Sequence, residues 1–302
     1  MADVPEIAPL ASWADLAQSA HPLQWDWPGW LPRGFVTMLA GEPGVGKSLL
    51  LLRLAGCYTC GWPWPDRAPC TSRGRVLWCE AEGAQSLNLA RAQEWHVPLD
   101  GFVTPSRDPL HAFSLRSEQD CNALATIARR DDVAVVFIDS LSGALGGHAE
   151  NSSSNLAIMA WLAELARDTG KPVLVTHHLR KARSAGAALD LDRVRGSTAL
   201  YQVTRMVWGL QEVWARGQQW PVLSVLKDNL AQPPQPLVLK PVSGSAPRQR
   251  EQQLTAAMRL EPPASLAGAR ATGSRPSPWL ALALIFSVLL TGRAPRVSAG
   301  RR

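Results

Sequence analysis

The chain has 302 residues and 46% hydrophobic content, which suits one large α/β domain or two small ones with a sizeable core. Its net charge of +6 is unevenly placed: Ser245–Arg302 carries nine Arg and two Glu, leaving residues 1–244 with 22 basic and 23 acidic residues, a net of −1. The bulk charge therefore belongs to the tail and does not mark the folded part as a nucleic-acid coat. Five cysteines, an odd number, and no secretory n-region in MADVPEIAPLASW point to a reducing cytoplasm.

Taken in chain order, residues 1–30 are Trp-rich (Trp13, Trp25, Trp27, Trp30) and show no clear period. QWDWPGWLP suits core burial better than stacking on adenine or packing between subunits. FVTMLA (Phe35–Ala40) reads as a strand and Ser48–Tyr58 as a Leu-rich helix. Arg75–Glu82 reads as a strand, Ala84–Trp95 and Glu118–Arg130 as helices, and Val133–Asp139 as a strand. Asn155–Arg167 has apolar residues at helical spacing, and Pro172–His178 is the next strand. Three further runs, Met206–Val213, Val222–Lys227 and Leu237–Val242, read as strands joined by short turns.

Continuous apolar runs separated by helices predict an α/β fold. Its central sheet is mostly parallel, with helices on both faces, and the last three runs form an antiparallel extension. Residues 1–244 make up this domain. Residues 245–302 are Pro-, Gly- and Arg-rich and read as linker. Within them, 276–292 is an uncharged run of 17 residues between Arg275 and Arg293. That is short of the roughly 20 needed to span a bilayer, so packing onto the domain or a partner is expected over membrane insertion.

Cys57 and Cys60 form a CxxC, with Cys70 and Cys79 downstream. They lie within a predicted helix and lack a second CxxC, so buried thiols are expected rather than a zinc site.

GEPGVGKS (Gly41, Glu42, Pro43, Gly44, Val45, Gly46, Lys47, Ser48, followed by Leu49) matches G-x-x-x-x-G-K-[ST] at every fixed position. It stands between a strand and a helix, where backbone N–H groups and the helix N-terminus can cradle phosphates. Lys47 would reach the β- and γ-phosphates of ATP, and the Ser48 hydroxyl would bind Mg²⁺. Asp139 closes the buried run VAVVFID, at the carboxyl edge where ligands of open α/β sheets collect, and would hold the same Mg²⁺ through water. RVLWCEAEG places Glu80 and Glu82 at a strand end beside the phosphate-loop strand. A hydrolase needs a group to orient its water, and Glu82, at the extreme end, is preferred, with Glu80 as the alternative.

The order GEPGVGKS, VLWCEAEG, VVFIDS, ENSSSN, VLVTHHLRKA and RGSTAL resembles the RecA-like ATPases of the plasmid RepA hexameric helicase group, over roughly residues 22–242. GEPGVGKS is generic to phosphate loops. The His177–His178 pair, with its basic continuation and RGS, is the more specific part. The resemblance implies a homo-hexamer with ATP at subunit interfaces, Glu82 as catalytic base, and a histidine, preferably His178 over His177, sensing the γ-phosphate. It further implies Arg205 as a finger reaching the neighbouring subunit's site and Lys227 as a second cation acting in trans.

The same resemblance implies that two Gly- and Ser-rich connections, 141–155 and 179–197, line a channel for single-stranded DNA. The second carries Arg180, Lys181, Arg183, Arg193 and Arg195 for phosphate contacts, but also Asp190 and Asp192, and neither loop has an aromatic for base stacking. A regulatory or recombination-associated RecA-like ATPase of the RadA or KaiC kind, without unwinding, is therefore the alternative. A P-loop small-molecule kinase stands third, because no arginine-rich lid is evident.

Overall fold

The structure is a computed structural model that describes residues 11–20, 22–146, 153–179, 189–194, 200, 202–215, 218–240 and 259–261. Arg180, Lys181, Arg183, Arg195 and the 276–292 run lie outside the described residues. Among the described residues no helix is long and apolar enough to cross a membrane.

The chain opens with helix α1 (Trp13–Ser19) and a small antiparallel pair, β1 (Trp25–Trp27) and β2 (Leu31–Pro32). The phosphate-loop strand β3 (Val36–Gly41) leads into α2 (Lys47–Cys60). Then come β4 (Arg75–Glu80), α3 (Gln85–Glu94), the short β5 (Phe102–Val103), α4 (Glu118–Ala128) and β6 (Val133–Asp139). They are followed by α5 (Leu141–Ala144), α6 (Ser153–Thr169) and β7 (Val173–His178). The last strands are β8 (Met206–Ala215), β9 (Gln218–Asp228), β10 (Leu237–Lys240) and β11 (Arg259–Glu261).

One nine-stranded sheet runs in the order β11-β10-β9-β8-β3-β7-β6-β4-β5. From β8 to β5 every pairing is parallel, and β9, β10 and β11 add on antiparallel. The expected mostly parallel sheet with an antiparallel extension is what forms. The first of the three late runs, however, joins β3 in parallel, and a three-residue strand inside the 245–302 segment pairs with β10. A second difference concerns neighbours. The strand carrying Glu80 was expected beside β3, but β7 and β6 stand between them. Apolar pattern identifies a buried strand without saying which buried strand it pairs with.

Period-two alternation divides the central strands between two cores, one on each face. Leu39, Val76 and Trp78 face α2, whereas Met38, Ala40, Leu77 and Cys79 face α4, α5 and α6. Helix α2 is buried almost all round, through Leu49–Leu52, Leu54, Ala55 and Tyr58, as expected of a helix that is hydrophobic on every side. Gly61, at φ +73°, ends it in the left-handed conformation that favours glycine.

Beside α2, Trp27 stacks on Trp30 at 4.9 Å and on Trp64 at 5.5 Å, and meets Trp208 edge-on at 5.7 Å. Trp27 Nε1 donates to Asp66 at 2.9 Å and Trp208 Nε1 to the Trp30 carbonyl at 3.1 Å, so these two buried indoles keep a polar partner. The tryptophans of the N-terminal segment thus pin β1 and β2 to the sheet as core residues. Trp13, on α1, is 90% exposed.

Candidate nucleotide site

The carboxyl edge of the parallel strands gathers the site. Register sets Gly41 opposite His178 and Glu80 opposite Asp139, while Ile138 opposite Val175 puts Asp139 level with Thr176. So β4 and β6 end two residues short of β3 and β7, and the residues just past β4 come level with His178. Gly44 and Gly46 take φ values of +78° and +100°, a region L-residues disfavour, and these turns wrap residues 41–46 back over the start of α2. A Cβ at Gly41 would meet the Leu210 carbonyl and Val45 at 2.9 Å, so only glycine fits there. Gly46 caps α2 with no side-chain hydrogen bond, so the first-turn N–H groups face the loop interior, a ready anion site.

Lys47 Nζ donates to the carbonyls of Gly41 and Glu42, both at 3.0 Å, and lies 3.5 Å from His178 Nδ1. Burial lowers its pKa from the ordinary lysine value, while the Asp139 and Glu82 carboxylates pull it back up. Asp139 is buried and accepts from Thr176 Oγ1 at 2.6 Å, with the Ser48 hydroxyl as a second donor. Burial raises the Asp139 carboxyl, against those two hydrogen bonds. Ser48 and Asp139 together present hard oxygen donors, a set that fits Mg²⁺.

The two glutamates are sorted by their contacts. Glu80 is buried and accepts from the Glu82 backbone N–H at 2.9 Å, the Ala84 N–H at 3.4 Å and Asn88 Nδ2 at 2.8 Å. It braces the turn into α3, and burial pushes its pKa up. Glu82 lies two residues past the end of β4 and points across the site. Its Oε1 accepts from His178 Nε2 at 3.0 Å and from the Ser140 hydroxyl. The His178 hydrogen bond, helped by Ser140 and Lys47, holds the Glu82 carboxyl at about 2, against the smaller effect of burial. The pattern fits an imidazole with its proton on Nε2: it donates to Glu82 and turns the Nδ1 lone pair to Lys47.

The two histidines alternate, as strand residues must. His178 joins Lys47 and Glu82, while the fully buried His177 places Nδ1 3.1 Å from Ser142 Oγ on α5. Ser140 caps α5, accepting from the Gly143 N–H at 3.3 Å, and donates to Glu82. The carbonyl of Leu145, just past α5, accepts from Arg116 Nε at 2.8 Å, and Arg116 also reaches Asn155 on α6 at 2.9 Å. Asn88, Ser140, Ser142, Thr176 and Arg116 were not picked out from the sequence. Only Ser140, next to Asp139 in VVFIDS, had a signal in its position.

Arg205 and Lys227 lie elsewhere. Thr37 pairs with Met206 and Val207 with Lys227, so both cations sit toward the amino edge of the parallel strands. Along the strand direction Arg205 is roughly 17 Å, five strand steps, from Gly41, and Lys227, level with Met38, is about 10 Å, three steps, away and two strands to the side. Arg205 is exposed, and Lys227 donates to the Thr204 carbonyl at 2.7 Å. Desolvation and the Arg205 charge lower the Lys227 pKa. Arg193, grouped by sequence with the DNA-facing basic residues, instead turns its guanidinium to Glu42 in the phosphate loop at 2.6 Å. The cysteines are free, with Cys57 buried and its thiol pushed to about 12 by burial. Among the described residues no cluster of His, Cys, Asp or Glu could hold a metal on its own.

The mostly parallel sheet and the lysine-bearing phosphate loop at its switch point, with a strand-end aspartate beside it, define a RecA-like P-loop ATPase. The chain belongs to the AAA domain family, whose family model matches residues 3–184. It is also similar to the DNA repair protein RadA of Pseudomonas aeruginosa, at 25% identity over 153 residues. That match covers 51% of this chain, and the chain spans only 30% of that relative's length.

Proposed function

We propose that the protein hydrolyses ATP as a ring-forming motor on single-stranded DNA, of the plasmid RepA helicase type. The observation that carries the hydrolysis is the unbroken Lys47–His178–Glu82 array, three side chains from three separate elements meeting at the phosphate loop. Lys47 and the first turn of α2 bind the β- and γ-phosphates. Glu82 accepts a proton from, and orients, the water whose oxygen attacks the γ-phosphorus as the β–γ bridging P–O bond breaks, giving ADP and inorganic phosphate. His178, between Lys47 and Glu82, responds to the γ-phosphate. Mg²⁺, held by Ser48 and Asp139, supplies charge neutralisation when bound.

Arg205 and Lys227 support an oligomer. Away from the carboxyl edge they are out of reach of their own site. A head-to-tail contact would set them against the next copy's loop, and repeated contacts of that kind close into rings. The test is steady-state phosphate release with and without oligothymidylate, using Lys47→Ala as the blank, followed by strand displacement on a forked duplex. Stimulation by the oligonucleotide with displacement supports the motor.

A second reading, an ATPase of the RadA kind that does not unwind, is favoured by the similarity to a protein named for DNA repair. Asp190 and Asp192, in the segment meant to meet DNA, also favour it. Hydrolysis without displacement would select it.

A further inference from the structure

Glu42 is an acid inside a loop built to hold a polyanion. Its carboxylate accepts from Arg193 at 2.6 Å, across 151 positions of sequence. Arg193 is anchored to present that charge. It ends the short 3₁₀ turn Leu191–Arg193, where Asp190 Oδ1 accepts from the Arg193 backbone N–H at 3.1 Å. The flanking Leu189 and Val194 are buried, Val194 bridges Leu179, and the Leu179 N–H donates to the Gly41 carbonyl at 3.3 Å. The Arg193 side chain is 14% exposed and that of Glu42 52%. The cation is therefore held in place, and it is the acid that adjusts. Two described points of the β7–β8 connection, Leu179 and Arg193, thus rest on the phosphate loop, at Gly41 through backbone and at Glu42 through charge.

We propose that Arg193 is a positioning residue for the nucleotide: it masks the Glu42 carboxylate and ties the β7–β8 connection to the phosphate loop, so triphosphate affinity depends on the pair. A bare carboxylate beside the polyphosphate would repel it, and ATP, with one more phosphate than ADP, would suffer more. The proposal rests on the reading that this loop binds ATP.

The experiment measures the dissociation constants of fluorescent N-methylanthraniloyl ATP and ADP with the full chain. The variants are Lys47→Ala, Arg193→Gln, Glu42→Gln and the Glu42→Gln/Arg193→Gln double. Arg193→Gln is expected to weaken ATP binding roughly three- to fivefold, the range for a partly exposed ion pair, and ADP binding less. In the Glu42→Gln background the same change should cost under twofold, because the charge needing a mask is gone. An equal loss in both backgrounds would mean that Arg193 touches the nucleotide directly, and would overturn the mask. So would an unchanged affinity in Arg193→Gln, or an equal loss for ATP and ADP accompanied by a lowered melting temperature. If Lys47→Ala binds like the wild type, it is the nucleotide reading that fails, an outcome separate from these.

Discussion

Glu82 accepts a hydrogen bond from His178 Nε2 at 3.0 Å although the two residues are 96 positions apart in the chain. The contact exists because β7 lies against β3 while the turn after β4 reaches back across β6 toward them. It holds the Glu82 carboxyl below its ordinary range and fixes its direction, which suits it to orienting water.

Glutamine substitutions separate the two strand-end acids. Glu82→Gln should lower kcat by roughly 10²–10⁴-fold, the span of general-base contributions, while ATP still binds. Glu80→Gln should act mainly on stability, because Glu80 holds the Glu82 and Ala84 N–H groups and Asn88. Phosphate-release kinetics together with melting temperatures for the pair check this. A greater kcat loss in Glu80→Gln would reverse the assignment.

The His178–Glu82 contact has a pH signature. Glu82 drops from 4.5 to about 2 in the folded state, chiefly through His178. The contact therefore adds stability that is fully present above about pH 4.5 and is lost as pH falls toward 2. His178→Ala removes it, so the gap between wild-type and variant urea midpoints should narrow as pH falls from 5 to 2.5. The gap is small, since the Glu82 side chain is 45% exposed. A gap that stays constant with pH would assign the contact no energetic role.

Ser140 joins chemistry to scaffold. It donates to Glu82 and caps α5, so Ser140→Ala should lose about 1 kcal/mol of stability, as caps usually do. It should also lower kcat several-fold with little change in KM for ATP, and Ser140→Thr should restore both. A melting-temperature loss with normal kcat would leave Ser140 as a cap alone.

Arg205 tests the oligomer. Arg205→Ala should bind ATP normally and hydrolyse it poorly. Mixed with Lys47→Ala subunits, it should regain activity, because a ring then contains interfaces with an intact loop facing an intact arginine. Phosphate release measured across mixing ratios decides it, and no recovery at any ratio would place Arg205 outside the reaction.

The phosphate loop was legible in the residues because its chemistry is local. Glycines at fixed intervals, a lysine and a serine do their work within eight consecutive positions. Buried strands were legible too, since burial on both faces leaves a continuous apolar run. The choice between Glu80 and Glu82 was only half legible. Both occupy the same parity, and what separates them is that β4 stops at Glu80, where Asn88 and two backbone N–H groups claim it. The Arg193–Glu42 pair was not legible at all. In sequence Arg193 is one of several basic residues in a loop, and its partner is 151 positions away.

The division follows from range. Period, composition and contiguous motif act over one turn of helix or one strand, and they were enough to specify an α/β phosphate-loop domain with Lys47, Ser48 and Asp139 at its carboxyl edge. Strand order is a long-range choice among buried runs that look alike. That order brought His178 between Lys47 and Glu82 and placed Ser140 beside the same carboxylate, while the parallel direction of β8 beside β3 kept Arg205 and Lys227 away from the carboxyl edge.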